Sequence, residues 1–150
     1  MIQEEIDEDV WTIQVNLDDL NPEQHPYVME KLLAAGAYDV YLIPIIMKKG
    51  RPGILLHLLT SKESIPLMES IIFKETSTLG LRYWQTTCHR LQRDFRSCET
   101  PWGQVRVKVG YYKEECVQFA PEYEDCAKVA KANQVSLQQV YDFVRKHFSL

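Results

Sequence analysis

Three short segments of the chain combine residue types that handle a metal-bound phosphate. Asp18-Asp19 offers two carboxylates, hard oxygen ligands suited to Mg²⁺ or Mn²⁺. Met47-Lys48-Lys49-Gly50-Arg51-Pro52-Gly53 offers two ammonium groups and a guanidinium for phosphate oxygens. Within it Gly50 and Gly53 let backbone come close and free N–H groups for an anion nest. Thr76-Ser77-Thr78 offers hydroxyls and amides that can finish an oxygen-rich shell. Each segment also has an ordinary reading: turn residues ahead of a helix, a solvated basic hairpin, and a helix-exit loop. The chemistry therefore depends on the fold bringing all three to one edge.

Other candidates are weaker. Cys88 and His89 are adjacent residues of an extended stretch and point to opposite faces, which argues against a shared ligand role. His25, His57 and His147 have no ligand-like spacing and read as surface or interface histidines. Pro121-Glu122-Tyr123-Glu124-Asp125 puts carboxylates in a first helical turn, where they complement the helix dipole, with recruitment of a second cation as the alternative use. No residue is assigned a catalytic role.

The elements that must position these groups follow from periodicity and punctuation. Residues 10–17 read as a strand rich in branched side chains. Asn21, Pro22 and Gln24 open a helix that runs to about Ala35, with Gly36 as its left-handed stop. An apolar run over 38–47 reads as a strand at or near a sheet edge because of Pro44, and the Lys48-to-Gly53 segment turns it into a second apolar run over 54–59. A helix opens at Ser61 and ends before Thr76, and an extended stretch covers 81–99. Thr100-Pro101-Trp102-Gly103 then turns the chain into a strand over 104–112, with Val105, Val107 and Val109 on one face. A short strand near 117–119 and two helices complete the chain, the second with a Ser136/Gln139 capping box and a Val135/Val140 staple.

This order predicts an α+β chain, a ferredoxin-like βαββαβ sandwich followed by a β-hairpin and a two-helix annex. The expected division is an acidic N-terminal extension over 1–9, a ferredoxin-like domain over 10–95 and the annex over 96–150. If the first two strands are parallel through a right-handed crossover, Asp18-Asp19, the Lys48-to-Gly53 loop and Thr76-Ser77-Thr78 all arrive at one edge. The start of the helix near Pro22 arrives there too.

Composition narrows the classes. The 150 residues carry 17 Lys+Arg against 21 Asp+Glu, a formal charge of -4, which argues against a broad phosphate-wrapping nucleic-acid binder. An RNA-binding sheet is further disfavoured because Gly53-Ile54-Leu55-Leu56-His57-Leu58 lacks base-stacking aromatics. The residues after Met1 are acidic rather than leader-like, and no apolar run approaches the roughly 18 residues needed to span a bilayer. The expectation is a cytoplasmic protein with no membrane association. Cys88, Cys98, Cys116 and Cys126 form no C-x-x-C pair, so reduced thiols are expected.

Four segments, in order, resemble the C-terminal region of the LarC family, the nickel insertion proteins of nickel-pincer nucleotide biosynthesis. They are Asn16-Leu17-Asp18-Asp19-Leu20-Asn21-Pro22-Glu23, Met47-Lys48-Lys49-Gly50-Arg51-Pro52-Gly53, Phe73-Lys74-Glu75-Thr76-Ser77-Thr78-Leu79-Gly80-Leu81-Arg82 and Pro121-Glu122-Tyr123-Glu124-Asp125-Cys126. The resemblance implies CTP-dependent insertion of Ni²⁺ into pyridinium-3,5-bisthiocarboxylic acid mononucleotide, the cofactor of lactate racemase and its relatives, with Mg²⁺ or Mn²⁺ accompanying CTP. It also implies a homo-oligomer, a trimer or hexamer. Full-length members have a larger region before the first segment, so this chain is expected to be a fragment or a separately encoded part that binds CTP. With the resemblance and the expected convergence taken together, Lys48, Lys49, Gly50 and Arg51 are assigned to the triphosphate, Asp18 and Asp19 to the divalent cation, and Thr76, Ser77 and Thr78 to phosphate or metal; the individual ligands follow from the expected geometry and are not fixed by the motifs. The competing expectation is a non-catalytic ferredoxin-like ligand-binding or oligomerisation module.

Overall fold

Alternation of branched apolar and polar residues in the N-terminal half produces four strands and two helices. In the computed structural model, which describes residues 5–149, these are β1 (Glu5–Leu17), α1 (His25–Ala34), β2 (Asp39–Ile46), β3 (Pro52–Thr60), α2 (Ile65–Glu75) and β4 (Arg82–Arg90). The sheet order is β2-β3-β1-β4, with β3 antiparallel to both β1 and β2, which is the ferredoxin-like arrangement. Ile13 lies opposite Leu58 and Val15 opposite Leu56, so one face of the sheet is a continuous apolar row. Val28 and Leu32 of α1 and Ile65, Met68 and Ile72 of α2 close over it. Fully burying each of these side chains contributes roughly 1.5–3 kcal/mol, which is what holds the loops at the sheet edge in place.

Several local features follow the expected chemistry. Pro44 lies on β2, the edge strand, where its missing N–H costs no ladder bond. Gly36 adopts a left-handed φ of 97° after α1. Two helix starts differ from expectation. Pro22–Gln24 forms a separate 3₁₀ turn, capped by Asn21 Oδ1 accepting from the Glu23 N–H at 3.1 Å, and α1 begins only at His25. Residues 61–64 likewise form a turn and α2 begins at Ile65. In both cases a proline in the first helical turn, Pro26 or Pro66, fits where no donor is needed and sets the start.

The C-terminal half forms β5 (Gln92–Thr100), β6 (Gly103–Tyr112), β7 (Glu115–Pro121), α3 (Tyr123–Asn133) and α4 (Leu137–His147). The three strands make an antiparallel sheet in the order β5-β6-β7. Val105, Val107 and Val109 are fully buried against Cys126, Val129, Val140 and Val144 of the two helices. Ser136 Oγ accepts from the Gln139 N–H at 3.1 Å, and Gln139 Oε1 accepts from the Ser136 N–H at 2.9 Å, a complete capping box.

The chain divides into two compact units between Cys88 and His89 rather than at residue 95. The reason is pairing: β5 joins β6 from Gln92 onward, Gln92 facing Tyr111. At the other end, residues 5–9, expected as an acidic extension, continue β1, because charged side chains on a solvent face do not interrupt a strand's period of two. Residues 1–4 of that expected extension lie outside the described residues.

Candidate functional site

The end of β1 and the start of β3 are neighbours by register, Leu17 facing Ile54, so Asp18 emerges beside the loop that joins β2 to β3. That loop is tight. The Met47 N–H donates to the Arg51 carbonyl at 2.7 Å and the Gly50 N–H to the Met47 carbonyl at 3.1 Å, with Lys49 and Gly50 both at positive φ (65° and 71°). Gly53 is required by close approach: a Cβ there would lie 2.9 Å from the Leu17 carbonyl oxygen. The expectation that Gly50 frees its N–H for an anion is corrected, because that N–H already closes the turn. Lys48 and Lys49 are exposed at the loop tip.

The three expected segments do meet. Arg51 Nη2 lies 2.5 Å from Asp18 Oδ2, with the carboxylate mostly covered and the guanidinium exposed. Asp18 Oδ2 is buried yet accepts no aligned hydrogen bond, so the Arg51 contact is one of charge rather than of directed bonding. Ser77 Oγ donates to Asp19 Oδ1 in a short hydrogen bond. Thr76 and Thr78 turn inward to their own loop: Thr76 Oγ1 donates to the Ile72 carbonyl at 2.7 Å, and Thr78 Oγ1 to the Gly80 carbonyl at 2.7 Å. Beside Asp18 lies a hollow of about 220 Å³ with Leu17, Leu20, His25 and Gly53 in its lining. His25, expected as a surface or interface histidine, is 8% exposed at the start of α1.

A divalent cation here would rely on few protein ligands. Among the described residues no three His, Cys, Asp or Glu side chains converge on a point that could hold a metal. Asp18 and Asp19 suit a Mg²⁺-like ion that takes one or two carboxylates and completes its shell with phosphate oxygens and water. The buried, unaligned Asp18 Oδ2 is the atom best placed to serve.

Sequence reasoning gave no role to a polar row across the sheet face opposite the helices. Tyr41, His57 and Gln14 lie directly across from one another on β2, β3 and β1. Arg82 Nη2 donates to Gln14 Oε1 at 2.9 Å and to Asn16 Oδ1 at 3.0 Å. Arginine only donates, so Gln14 must present its oxygen to Arg82 and its amide N–H to His57 Nδ1, 3.0 Å away. That fixes His57 as the neutral, Nε2-protonated tautomer, stacked on Tyr41 at 4.5 Å. Burial lowers the His57 pKa, against a smaller raising effect of Asp39. The signal in the sequence was Gln14 and Asn16 standing out of phase with Ile13, Val15 and Leu17.

The other candidates are structural in their contacts. Cys88 and His89 are successive residues of β4, and all four cysteines are free thiols. Burial pushes the Cys98 and Cys126 thiols up. Arg106 grips Asp125 through two bonds of 2.8 and 3.0 Å, and Lys108 pairs with Glu122 at 3.0 Å, so these first-turn carboxylates tie α3 to β6. The Arg106 hydrogen bonds hold the Asp125 carboxyl below the usual range. His147 stacks on Phe143.

The family described as nickel insertion protein matches residues 1–141. The chain belongs to the nickel insertion protein family. It is 43% identical over 139 residues to the pyridinium-3,5-bisthiocarboxylic acid mononucleotide nickel insertion protein of Clostridium acetobutylicum, covering 93% of this chain and 33% of that protein. It is 44% identical over 149 residues to the protein of the same description from Acetivibrio thermocellus, covering 96% of this chain and 35% of that one. The chain thus spans about a third of the length of the curated relatives it matches. A solved structure of the C-terminal domain of a cyclometallase involved in the synthesis of the NPN cofactor of lactate racemase, in its apo form, superposes with a TM-score of 0.85 at 40% identity, covering 92% of this chain and 94% of that one. A protein of Methanopyrus kandleri shares the fold at a TM-score of 0.71 and 18% identity, covering 96% of this chain and 89% of that one. Among the described residues no helix is long and apolar enough to cross a membrane.

Proposed function

We propose that this chain is the CTP-binding part of a CTP-dependent nickel insertase that places Ni²⁺ into pyridinium-3,5-bisthiocarboxylic acid mononucleotide. The observation that carries the reading is the meeting of Asp18 with Arg51 and of Asp19 with Ser77 at one sheet edge. Family membership and the names of the relatives support the choice of nickel and of the mononucleotide as substrates. Bound CTP with Mg²⁺ or Mn²⁺ would supply a phosphoanhydride whose cleavage can be coupled to metal insertion.

The residues divide the work by charge. Asp18 and Asp19 hold the cation. Arg51, which neutralises Asp18 in this structure, is released to phosphate oxygens when a cation takes over that carboxylate, so the edge exchanges one ion pair for two. Lys48 and Lys49 add point charges at the exposed tip, and Ser77, with Thr76, Thr78 and the Gly50 turn, shapes the phosphate wall. The apolar hollow beside Asp18 has room for a planar ring. Calorimetry with CTP and ATP, each with Mn²⁺, tests the reading. Tight binding of Mn–CTP is expected, and replacing Lys48 and Lys49 by Ala removes charge-assisted bonds of roughly 1.5–3 kcal/mol each, at least a tenfold loss of affinity. Absence of binding of either nucleotide refutes the function, and an unchanged affinity in the double variant moves the triphosphate away from this loop.

A further inference from the structure

Within the C-terminal unit, the β7 side of β6 is left open at one place. From Val107 onward β6 pairs with β7. Arg106 is closed as well: its carbonyl accepts from the Glu122 N–H at 2.8 Å, and its N–H donates to Asp125 Oδ2 at 3.0 Å. In an antiparallel ladder the N–H and C=O of alternate residues point to the same side, so those of Gln104 point this way too, beyond the end of β7. Among the described residues nothing pairs with them. The Gln104 side chain is engaged elsewhere, Nε2 donating to Glu99 Oε1 of β5 at 2.8 Å. An unpaired strand edge is a template for another extended backbone.

A groove of about 400 Å³ runs along this edge, with Gln104 and Arg106 on one side and Asp125, Lys128, Val129 and Ala132 of α3 on the other. Helix α3 lies alongside because it is tied at both ends: Asp125 is held by Arg106, and Asn133 Nδ2 donates to the Trp102 carbonyl at 2.9 Å. A strand edge facing a helix across a groove suits a peptide that pairs its backbone with the sheet and presents alternate side chains to the helix. In an antiparallel pairing, the residue opposite Gln104 exchanges both backbone hydrogen bonds with it. Its two neighbours share the face of Val105 and so point at α3.

The lining selects those two side chains. Arg106 and Asp125 neutralise each other, whereas Lys128 forms no salt bridge among the described residues and acts on Asp125 only through space. The neighbour on the peptide's N-terminal side lies toward Arg106 and meets the ammonium of Lys128. The neighbour on its C-terminal side lies toward Trp102 and meets the apolar surface of Val129 and Ala132.

We propose that this groove takes an extended segment of a partner protein, added antiparallel to β6, with a carboxylate side chain on Lys128 and, two residues on, a small branched apolar side chain over Val129 and Ala132. The site shares no residue with the Lys48-to-Gly53 edge and makes no use of a nucleotide.

The test titrates the peptide acetyl-Thr-Glu-Thr-Val-Thr-amide into the full ¹⁵N-labelled chain. A saturable shift of the Gln104 amide peak is expected, with its hydrogen exchange slowed. N-methylation of the central Thr removes the donor to the Gln104 carbonyl, and should weaken binding by at least about tenfold. Exchanging the peptide's Glu for Lys should weaken it by about fivefold, the range of an exposed ion pair. In Lys128→Glu the preference between the two peptides should reverse, and since Lys128 is exposed the reversal itself reports a folded variant. No saturable shift at Gln104 overturns the proposal, as does an N-methylated peptide that binds as well as its parent, or a preference for Glu that is absent or survives Lys128→Glu.

Discussion

Substituting Gly53 by Ala should loosen the edge on which the triphosphate reading depends, and the size of the effect can be worked from the backbone. The added Cβ would stand 2.9 Å from the Leu17 carbonyl oxygen, against 3.4 Å for the lower end of ordinary contact, so strand or loop must give by about 0.5 Å, the difference of the two. Met47 Sδ, also at 2.9 Å, can rotate away, but the carbonyl belongs to the pair Leu17–Ile54 that holds Asp18 beside Arg51. Overpacking of this kind costs roughly 1–3 kcal/mol. Two other glycines separate sterics from backbone conformation. Gly50 has nothing within 4 Å but a φ of 71°, so Gly50→Ala costs about 1 kcal/mol through the left-handed conformation alone. Gly80 has neither a neighbour within 4 Å nor a positive φ, so Gly80→Ala is neutral or stabilising by up to about 1 kcal/mol. Urea titrations followed by the fluorescence of Trp11 and Trp84, in a Trp102→Phe background, report on the N-terminal unit alone. At a slope of roughly 1 kcal/mol per molar urea, the midpoint of Gly53→Ala falls by about 1 M or more. Stability of Gly53→Ala within 0.5 kcal/mol of the parent, or no lower than that of Gly80→Ala, would refute the close-approach argument.

Two further outcomes test other parts of the fold. The His57 pKa is lowered in the folded state, so between that value and the ordinary 6.5 the unfolded chain binds more protons, and stability rises with pH. The contribution of His57 is complete above about pH 6.5 and is lost as the pH falls toward the folded value, so His57→Phe should flatten the dependence of the urea midpoint between pH 7.5 and 5.5. An unchanged slope contradicts the neutral tautomer. Ser136→Ala removes one arm of the α4 capping box and should destabilise the C-terminal unit by about 1 kcal/mol, read from the unfolding midpoint of Trp102 fluorescence.

Local signals made much of this legible. Val105, Val107 and Val109 declared their common face by strict alternation, Ser136 and Gln139 their cap, and Pro44 its edge strand. The convergence of Asp18, Arg51, Asp19 and Ser77 followed from topology, because parallel first and second strands put those loops at one edge. What escaped were facts set by non-local pairing. Nothing punctuates residues 81–99 with Pro or Gly, so the passage from β4 to β5 at Leu91 carried no turn signal and the unit boundary was placed too late. The pairing of Asp18 with Arg51 needs the β1–β3 register, and the Gln14–His57–Arg82 row needs the register of all four strands. Such cross-strand neighbours are far apart in the chain and leave no local pattern.

On the proposed function, a metal–nucleotide complex binds at the edge where Asp18 meets Arg51 and Asp19 meets Ser77, with Lys48 on the loop that carries Arg51. Mn²⁺ broadens amide resonances near it, so ¹⁵N spectra recorded with Mn²⁺ alone and with Mn²⁺ plus CTP test the claim directly. The expected result is CTP-dependent loss of the Asp18, Asp19, Lys48 and Ser77 amide peaks while those of Asp39 and Thr60, at the opposite end of the same sheet, persist. Broadening centred on the C-terminal unit, or none that depends on CTP, would contradict it.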